Sequence, residues 1–161
     1  MSTALQIRPP RPEEFGDIAR IFYDAVHQVA YKDYSAEQIQ AWAPLVATAE
    51  HWLERTASLE TRIGLCDGCI AGFVGFSAAG HIDLLFTNPV FVRQGVASAL
   101  LKDAEKFLRA AGVQLATTEA SLTAHLFFER MGFDCVRPQT VICNGVGLRN
   151  FLMEKRLRDD K

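Results

Sequence analysis

The spacing of apolar residues changes near residue 60, and this change constrains the fold more than any other feature of the chain. Before it, apolar residues recur at intervals of three and four from Glu13 onward, which predicts an amphipathic helix. After it, residues 61–66, 70–77 and 81–87 have the composition and bounding turns of β-strands. Short turns containing glycine join these three segments, so the pattern predicts an antiparallel meander.

Shorter elements complete the first part of the chain. Residues 5–8 alternate apolar and polar side chains and stop at Pro9, which predicts a short strand. Ser35 and Thr48 each stand before a short helical pattern as N-cap residues. The first of these two helices is expected to end at Trp42.

The most regular helical pattern of the chain covers residues 94–111. Its apolar residues fall on one face, and Gly112 is a natural stop for the helix. A strand over residues 114–119 and a helix over residues 122–131 are expected to follow.

A hairpin is predicted at the end of the chain. Asn144-Gly145 is the strongest short hairpin signal, and it separates strands over residues 136–143 and 146–156. The order β-α-α-α-β-β-β-α-β-α-β-β predicts an α/β (α+β) fold, a mostly antiparallel sheet with helices packed on it. The strands on either side of helix 94–111 are expected to be antiparallel, not the parallel pair of a βαβ unit.

Length and charge limit the classes of function. The 161 residues are enough for one domain, and we expect a single domain over residues 1–161. The net charge of −2 provides no basic surface for nucleic acid. No apolar run approaches the roughly 18 residues of a membrane span, and Met1 to Arg8 lack the pattern of a signal peptide. We therefore expect a cytoplasmic protein whose partners include neither nucleic acid nor a membrane.

The four cysteines permit two interpretations. Cys66 and Cys69 have the spacing of a zinc knuckle, but Asp67-Gly68 between them is also a hairpin signal. Cys135 and Cys143 are separated by seven residues, with no histidine at ligand spacing beside them. We therefore expect no metal site, and cysteines that are free and mostly structural.

The start of helix 94–111 has the character of an anion site. The first turn of a helix has N–H groups without internal partners, and the helix dipole adds positive charge there. Gly95 and Ala97 would let a ligand approach the backbone closely, and Arg93 adds a full positive charge. Small residues at a helix start also serve ordinary helix–sheet packing, so the local pattern leaves both interpretations open. No Gly-Lys-Ser/Thr follows, which excludes a P-loop.

Two segments together resemble the central motifs of the GNAT superfamily of acyl-coenzyme A-dependent N-acetyltransferases. The first is HIDLLFTNPVFVRQGVASALL, in which Gly95 and Ala97 match the end of the pattern Gln/Arg-x-x-Gly-x-Gly/Ala. Val92 stands where that pattern has Gln or Arg. The second is TTEASLTAHLFFERMGF, which ends like the family's aromatic-Tyr-Glu-x-x-Gly-Phe. The resemblance covers residues 60–157 and implies a mixed, mostly antiparallel sheet that is splayed at its centre and flanked by helices.

The resemblance implies acetyl-CoA as co-substrate and an amine as acceptor. Main-chain groups at the helix start would hold the pyrophosphate, and those at the end of the preceding strand would hold the pantetheine arm. The strand over residues 114–119 would splay away to make room for the thioester. The residues implied in coenzyme binding are Leu85, Phe86, Thr87, Val92, Arg93, Gln94, Gly95, Val96, Ala97, Ser98, Ser121 and Phe128.

Three residues are candidates for catalysis by direct attack of the amine on the thioester. His81 and Asp83 are two apart on a strand, so both are expected to project from the same face. Histidine changes protonation near neutral pH, and Asp83 could orient it or act through water. Glu119 lies at the end of a strand, next to a helix start, where it could equally serve the helix dipole. His125 is expected to be a surface or packing residue.

Phe128 stands where many members of the family have a tyrosine that protonates the departing thiolate. Phenylalanine has no such proton, so the alternative to an enzyme is a non-catalytic acyl-CoA binding or sensing domain of the same fold. Tyr31 and Tyr34 are the residues expected to be exposed to a substrate. A third alternative is a partner-binding module that uses the edge of the terminal hairpin strands, whose length would also allow a homodimer.

Overall fold

The computed structural model describes residues 5–158. The first four residues of the segment Met1 to Arg8, in which no signal-peptide pattern was found, lie outside the described residues. The strands are β1 Gln6–Arg8, β2 Glu60–Cys66, β3 Cys69–Phe76, β4 His81–Thr87, β5 Leu115–Ser121, β6 Asp134–Cys143 and β7 Val146–Arg156. The helices are α1 Phe15–Gln28, α2 Ala36–Trp42, α3 Ala49–Arg55, α4 Val96–Ala110 and α5 His125–Arg130. Among these helices, none is long and apolar enough to cross a membrane.

The strands form one seven-stranded mixed sheet in the order β1-β2-β3-β4-β5-β7-β6. The predicted meander β2-β3-β4 and the terminal hairpin β6-β7 are confirmed as antiparallel pairs. The expected antiparallel relation around α4 is wrong, because β4 and β5 pair in parallel and form a βαβ unit with that helix. A helix of 15 residues returns the chain to the end of the sheet from which it left.

Local turn chemistry accounts for the hairpins. Asp67 (φ 51°) and Gly68 (φ 79°) close the β2–β3 hairpin, and Cys66 and Cys69 are opposed across it. Both cysteines are free. The hairpin interpretation of this segment is therefore confirmed. In residues 5–158, His, Cys, Asp and Glu side chains form no group of three or more that could hold a metal ion.

The two faces of the sheet carry separate hydrophobic clusters. One face packs on α4 through residues such as Leu100, Leu101 and Met153, each fully buried. The other packs on α1, α2 and α3 through two clusters that include Ile18 and Val26. We call this second face the helical-cap face.

A β-bulge in β4 changes which side chains reach the helical-cap face. Phe76 pairs with Ile82 and Gly75 pairs with Leu84, so Asp83 is the extra residue. Ile82 consequently packs against the α4 side, whereas Leu84, two residues later, packs on the helical-cap face. Side chains two residues apart in β4 therefore do not always point to the same face of the sheet, as regular strand geometry would require.

The centre of the sheet splays at the parallel pair. Within the described residues, the β4–β5 ladder consists of His81↔Thr117 and Ile82↔Thr118. The Thr118 hydroxyl donates to the Ile82 carbonyl over 2.9 Å, which satisfies the last acceptor before the strands part. A gap therefore opens between the ends of β4 and β5.

Gly72 allows the start of α4 to lie close to β3. A Cβ atom there would be 2.7 Å from the Phe86 carbonyl oxygen and 3.0 Å from a Val96 methyl group. We expect Gly72→Ala to lower the free energy of unfolding by about 1–3 kcal/mol, because backbone atoms must move. The matched control is Gly16→Ala in α1, where a Cβ meets nothing within 4 Å, and it should stabilise by about 0.5–1 kcal/mol. Urea unfolding measures both, and a Gly72→Ala protein as stable as the wild type would contradict this packing.

Candidate functional site

The start of α4 presents free main-chain donors. Gly95 is the N-cap in the left-handed region (φ 80°), with no side-chain cap and no acidic residue in the first turn. A Cβ at Gly95 would meet nothing within 4 Å, so this end of the helix opens to solvent. The N–H groups of the first helical turn have no partner within a helix, and they carry the positive end of its dipole. We call the main chain of residues 92–98 the cradle.

A cavity of about 230 Å³ leads from the cradle toward the gap between β4 and β5. Its walls come from α1, β4, the cradle and α5, and we call it the narrow cavity. The lining residues are mostly apolar: Ala25, Val26, Val29, Ala30, Trp42, Leu85, Phe86, Thr87, Val92, Ala97, Ser121, Thr123, Ala124, Phe127 and Phe128. An extended apolar arm of a ligand suits this lining.

The main chain of β4 supplies polar groups to that cavity. The Asn88 N–H donates to the Ala71 carbonyl of β3 over 2.8 Å. Because successive residues of an antiparallel strand point their main-chain groups in opposite directions, those of Leu85 and Thr87 point away from β3, into the gap. The resemblance implied that Leu85, Phe86 and Thr87 all contact the coenzyme through the main chain. The groups of Leu85 and Thr87 face the gap, whereas those of Phe86 point toward β3.

A second cavity, of about 450 Å³, lies on the helical-cap face beyond the gap. We call it the wide cavity. It shares six lining residues with the narrow cavity, and these mark the junction of the two: Trp42, Leu85, Phe86, Ser121, Ala124 and Phe128. The two cavities therefore form one path from the cradle, through the gap, to the helical-cap face.

The three predicted catalytic residues all line the wide cavity. His81 Nδ1 is 2.9 Å from Thr117 Oγ1, within the paired part of the strands. Asp83 and Glu119 are the first residues beyond the last β4–β5 pair, one on each side of the gap. The structure thus brings the two carboxylates to the point where the sheet splays.

The two carboxylates have different partners. Asp83 Oδ2 accepts from Arg55 Nη1 over 2.8 Å, an ion pair between β4 and α3 with both side chains partly exposed. Glu119 Oε2 accepts from the neutral amide of Gln139 over 2.9 Å. Asp83 is therefore neutralised by a cation, whereas Glu119 keeps its charge uncompensated by its hydrogen-bond partner.

Of the two tyrosines expected to be exposed to a substrate, Tyr34 is 7% exposed and lies in the wall of the wide cavity. Its hydroxyl donates to the Arg149 carbonyl over 2.7 Å and accepts from the Leu122 N–H over 2.9 Å. Burial raises the pKa of the Tyr34 hydroxyl above its ordinary value. Its ring lines the wide cavity, but its hydroxyl proton is used in the hydrogen bond to the Arg149 carbonyl and does not face a ligand. Tyr31 is 54% exposed and is not among the residues that line either cavity.

Phe128 and Ser121 lie at the junction of the cavities. Phe128 is 3% exposed and is packed against Phe133, so its ring forms part of the wall. The Ser121 hydroxyl accepts from the Ala124 N–H over 3.0 Å and still has its own proton to donate. His125, expected to be a surface or packing residue, stacks on Phe151 with ring centroids 4.5 Å apart.

Sequence reasoning missed several polar residues of the wide cavity, including Thr118 of β5. His51 and Arg55 come from α3, and Arg149 and Asn150 come from β7. A helix of seven residues and a terminal strand carry no local pattern that assigns them to a common site. The positive charge of Arg55 at the exposed end of α3 was the sequence feature that could have indicated a role in the site.

Comparison with known proteins gives a consistent result. The family model described as acetyltransferase (GNAT) domain matches residues 30–157. An uncharacterized N-acetyltransferase of Escherichia coli (strain K12), YafP, is 38% identical over 149 residues, which are 92% of this chain and 94% of that protein.

Solved structures resemble the whole chain. A GCN5-related N-acetyltransferase from Rhodopseudomonas palustris superposes with a TM-score of 0.92 at 32% identity, over 98% of this chain and 99% of that one. PaiA N-acetyltransferase from Thermoplasma acidophilum, in complex with coenzyme A, has a TM-score of 0.75 at 18% identity, over 95% and 99% of the two chains. A putative acetyltransferase from Salmonella typhimurium, yncA, with acetyl-CoA, has a TM-score of 0.72 at 14% identity, over 99% and 97%.

Proposed function

The chain belongs to the GNAT family of acetyltransferases, and from this premise we propose that it transfers the acetyl group of acetyl-CoA to a primary amine. The observation that carries the proposal is the continuous path from the cradle, through the β4–β5 gap, to the wide cavity. Structures of similar fold that contain coenzyme A or acetyl-CoA support the choice of co-substrate.

The chain's own groups suit the parts of acetyl-CoA in order. The N–H groups of Val96, Ala97 and Ser98 are suited to the pyrophosphate, and Arg93 is exposed beside them. The Val92 N–H already donates to the Pro89 carbonyl over 3.4 Å. Main-chain groups of Leu85 and Thr87 are suited to the amides of the pantetheine arm. The acetyl group would then lie at the gap, where Asp83 is the bulged residue without a partner on β3 and its main-chain N–H could donate to the carbonyl oxygen.

Transfer requires one bond to form and one to break. The amine nitrogen attacks the carbonyl carbon and forms the C–N bond, and the C–S bond then breaks to release the coenzyme A thiolate. The amine loses one proton to a base, and the thiolate gains one. Phe128 offers no proton, so we assign that protonation to water, which a thiolate with an ordinary pKa near 8.5 tolerates.

Glu119 is the base that the geometry supports best. It stands at the start of the splay, and its partner is a neutral amide. Asp83 is held by Arg55 at 2.8 Å, so its carboxylate is directed at α3 and already has a hydrogen-bond donor. His81 lies within the paired part of the strands, with one ring nitrogen bonded to Thr117. We therefore assign His81 and Asp83 to the shape and charge of the site.

The alternative is a domain that binds acyl-CoA without turnover, and the apolar Phe128 is the observation that favours it. Thiol release on mixing acetyl-CoA with a panel of primary amines distinguishes the two functions. We expect amine-dependent release together with micromolar or tighter coenzyme binding by calorimetry. Tight binding with no release for any amine would favour the sensor.

A further inference from the structure

One wall of the wide cavity is aromatic and comes from three separate elements. Phe22 of α1, Trp42 of α2 and Phe86 of β4 are each half-buried and line the cavity. Their ring centroids are 6.4 Å apart for Phe22–Trp42, 5.0 Å for Phe22–Phe86 and 6.4 Å for Trp42–Phe86. Trp42 and Phe86 also line the narrow cavity, so this aromatic wall reaches the junction where the acetyl group would lie.

The sheet supplies the opposite side, and it contains an unpaired acceptor. Asn150 of β7 lines the wide cavity, and its Oδ1 atom is buried without a hydrogen-bond partner. A buried carbonyl oxygen without a donor is costly, so natural proteins rarely retain one unless a ligand or water uses it.

Asn150 lies close to the proposed base. In the antiparallel pairing of β5 with β7, Asn150 lies opposite Ser121, and Glu119 lies opposite Leu152. Glu119 and Asn150 are therefore diagonal neighbours, typically about 7–8 Å apart between backbones. Gln139, which donates to Glu119, is the partner of Asn150 on β6. Oδ1 is closed off from the cavity as it stands, and a turn of the amide group about its Cβ–Cγ bond would bring it to face the cavity. An amine between these side chains could then donate one N–H to Asn150 Oδ1 and lose another proton to Glu119.

Arg55 and Asp83 neutralise one another at 2.8 Å, and Glu119 and Arg149 are the other two acidic and basic residues that line the wide cavity. These charges hold the amine end of an acceptor, so the rest of the acceptor is selected by the apolar wall. Building on the proposed function, we propose that the acceptor is a primary amine that carries an aromatic ring, with the ring on the aromatic wall and the nitrogen at Asn150 Oδ1. The ring supplies apolar contact, and the amide oxygen orients the nucleophile.

The first test compares acceptors. Thiol release is measured with 2-phenylethylamine, 2-cyclohexylethylamine and n-butylamine at equal amine concentrations. We expect kcat/KM for 2-phenylethylamine to exceed that for n-butylamine at least about 10-fold and to exceed that for the cyclohexyl analogue severalfold. Equal or greater kcat/KM for either competitor overturns the aromatic class while the acetyltransferase function stands. Coenzyme binding without release for every amine overturns the proposed function itself.

The second test compares variants by binding as well as by rate. Trp42→Leu should weaken binding of 2-phenylethylamine to the coenzyme A complex about 10-fold, measured by saturation-transfer NMR. The matched control is Phe107→Leu on α4, a residue that packs on Phe76 and is not among those lining either cavity. Equal affinity in the two variants overturns the role of the aromatic wall, whether or not turnover is observed.

Asn150→Leu tests the amine position. We expect kcat/KM for 2-phenylethylamine to fall roughly 10- to 100-fold, because the oxygen that orients the amine is lost. Thermal stability should stay the same or rise, since the change removes an unpaired buried polar atom. A purely structural role for Asn150 predicts the reverse, a lower melting temperature with unchanged kcat/KM. That result would overturn the assignment.

Discussion

Replacing Gly95 by glutamate is expected to weaken acetyl-CoA binding at least about 100-fold. The variant places a negative charge at the start of α4, where free N–H groups face open space. Like charges at this end of the helix would repel a pyrophosphate and occupy its donors. Titration calorimetry with acetyl-CoA measures the effect directly.

The same helix offers a matched control for this variant. Gly112 follows the last turn of α4 with φ 82°, against 80° for Gly95, and a Cβ at either position meets nothing within 4 Å. Gly112→Glu should therefore lose about 1–2 kcal/mol of stability from the left-handed backbone, as Gly95→Glu does. Only Gly95→Glu should lose coenzyme affinity. Equal dissociation constants for the two variants would mean that the cradle does not hold the pyrophosphate.

Replacing Glu119 by glutamine is expected to lower kcat by about 10²- to 10⁴-fold, the usual contribution of a general base. Glutamine has nearly the same size, and its oxygen can still accept from Gln139 as the carboxylate does over 2.9 Å. The acetyl-CoA dissociation constant should therefore stay unchanged. Raising the pH should recover part of the rate, because a larger fraction of the amine is then already deprotonated.

One further variant is a control for this prediction, and another tests the competing base. Glu154→Gln changes a carboxylate of β7 that is not among the residues lining either cavity, and it should leave kcat within about twofold of the wild type. His81→Gln should reduce kcat less than Glu119→Gln does. A large loss in His81→Gln with near-normal rates in Glu119→Gln would transfer the role of base to His81.

Several features of the site could be predicted because they depend on short segments. The Gly95 N-cap follows from a glycine at the start of a long amphipathic pattern. Ser35 caps α2 by accepting from the Gln38 N–H, as its position before the helix indicated. Asn144-Gly145 closes its hairpin with positive φ at both residues. In each case the physical cause lies within a few residues of sequence.

Other features required contacts between distant segments. Arg55 reaches Asp83 across 28 positions, and no periodicity in α3 indicates that partner. The Tyr34 hydroxyl bonds to a carbonyl 115 positions away, a contact that holds this tyrosine in the wall of the wide cavity. The bulge at Asp83 depends on how β3 and β4 align. The regular spacing of side chains on the two faces of β4, which strand geometry suggests, is therefore interrupted there.

The sequence by itself determined the order of strands and helices, the free donors at the start of α4, and the family resemblance. Those properties follow from local spacing, capping and turn chemistry. The tertiary structure decided that β4 and β5 pair in parallel for two residues and then part. It also decided that Asp83 pairs with a cation and that Glu119 pairs with a neutral amide. These outcomes depend on the packing of segments far apart in the chain. The free energy that favours each arrangement comes from many contacts together, so no short sequence pattern predicts it.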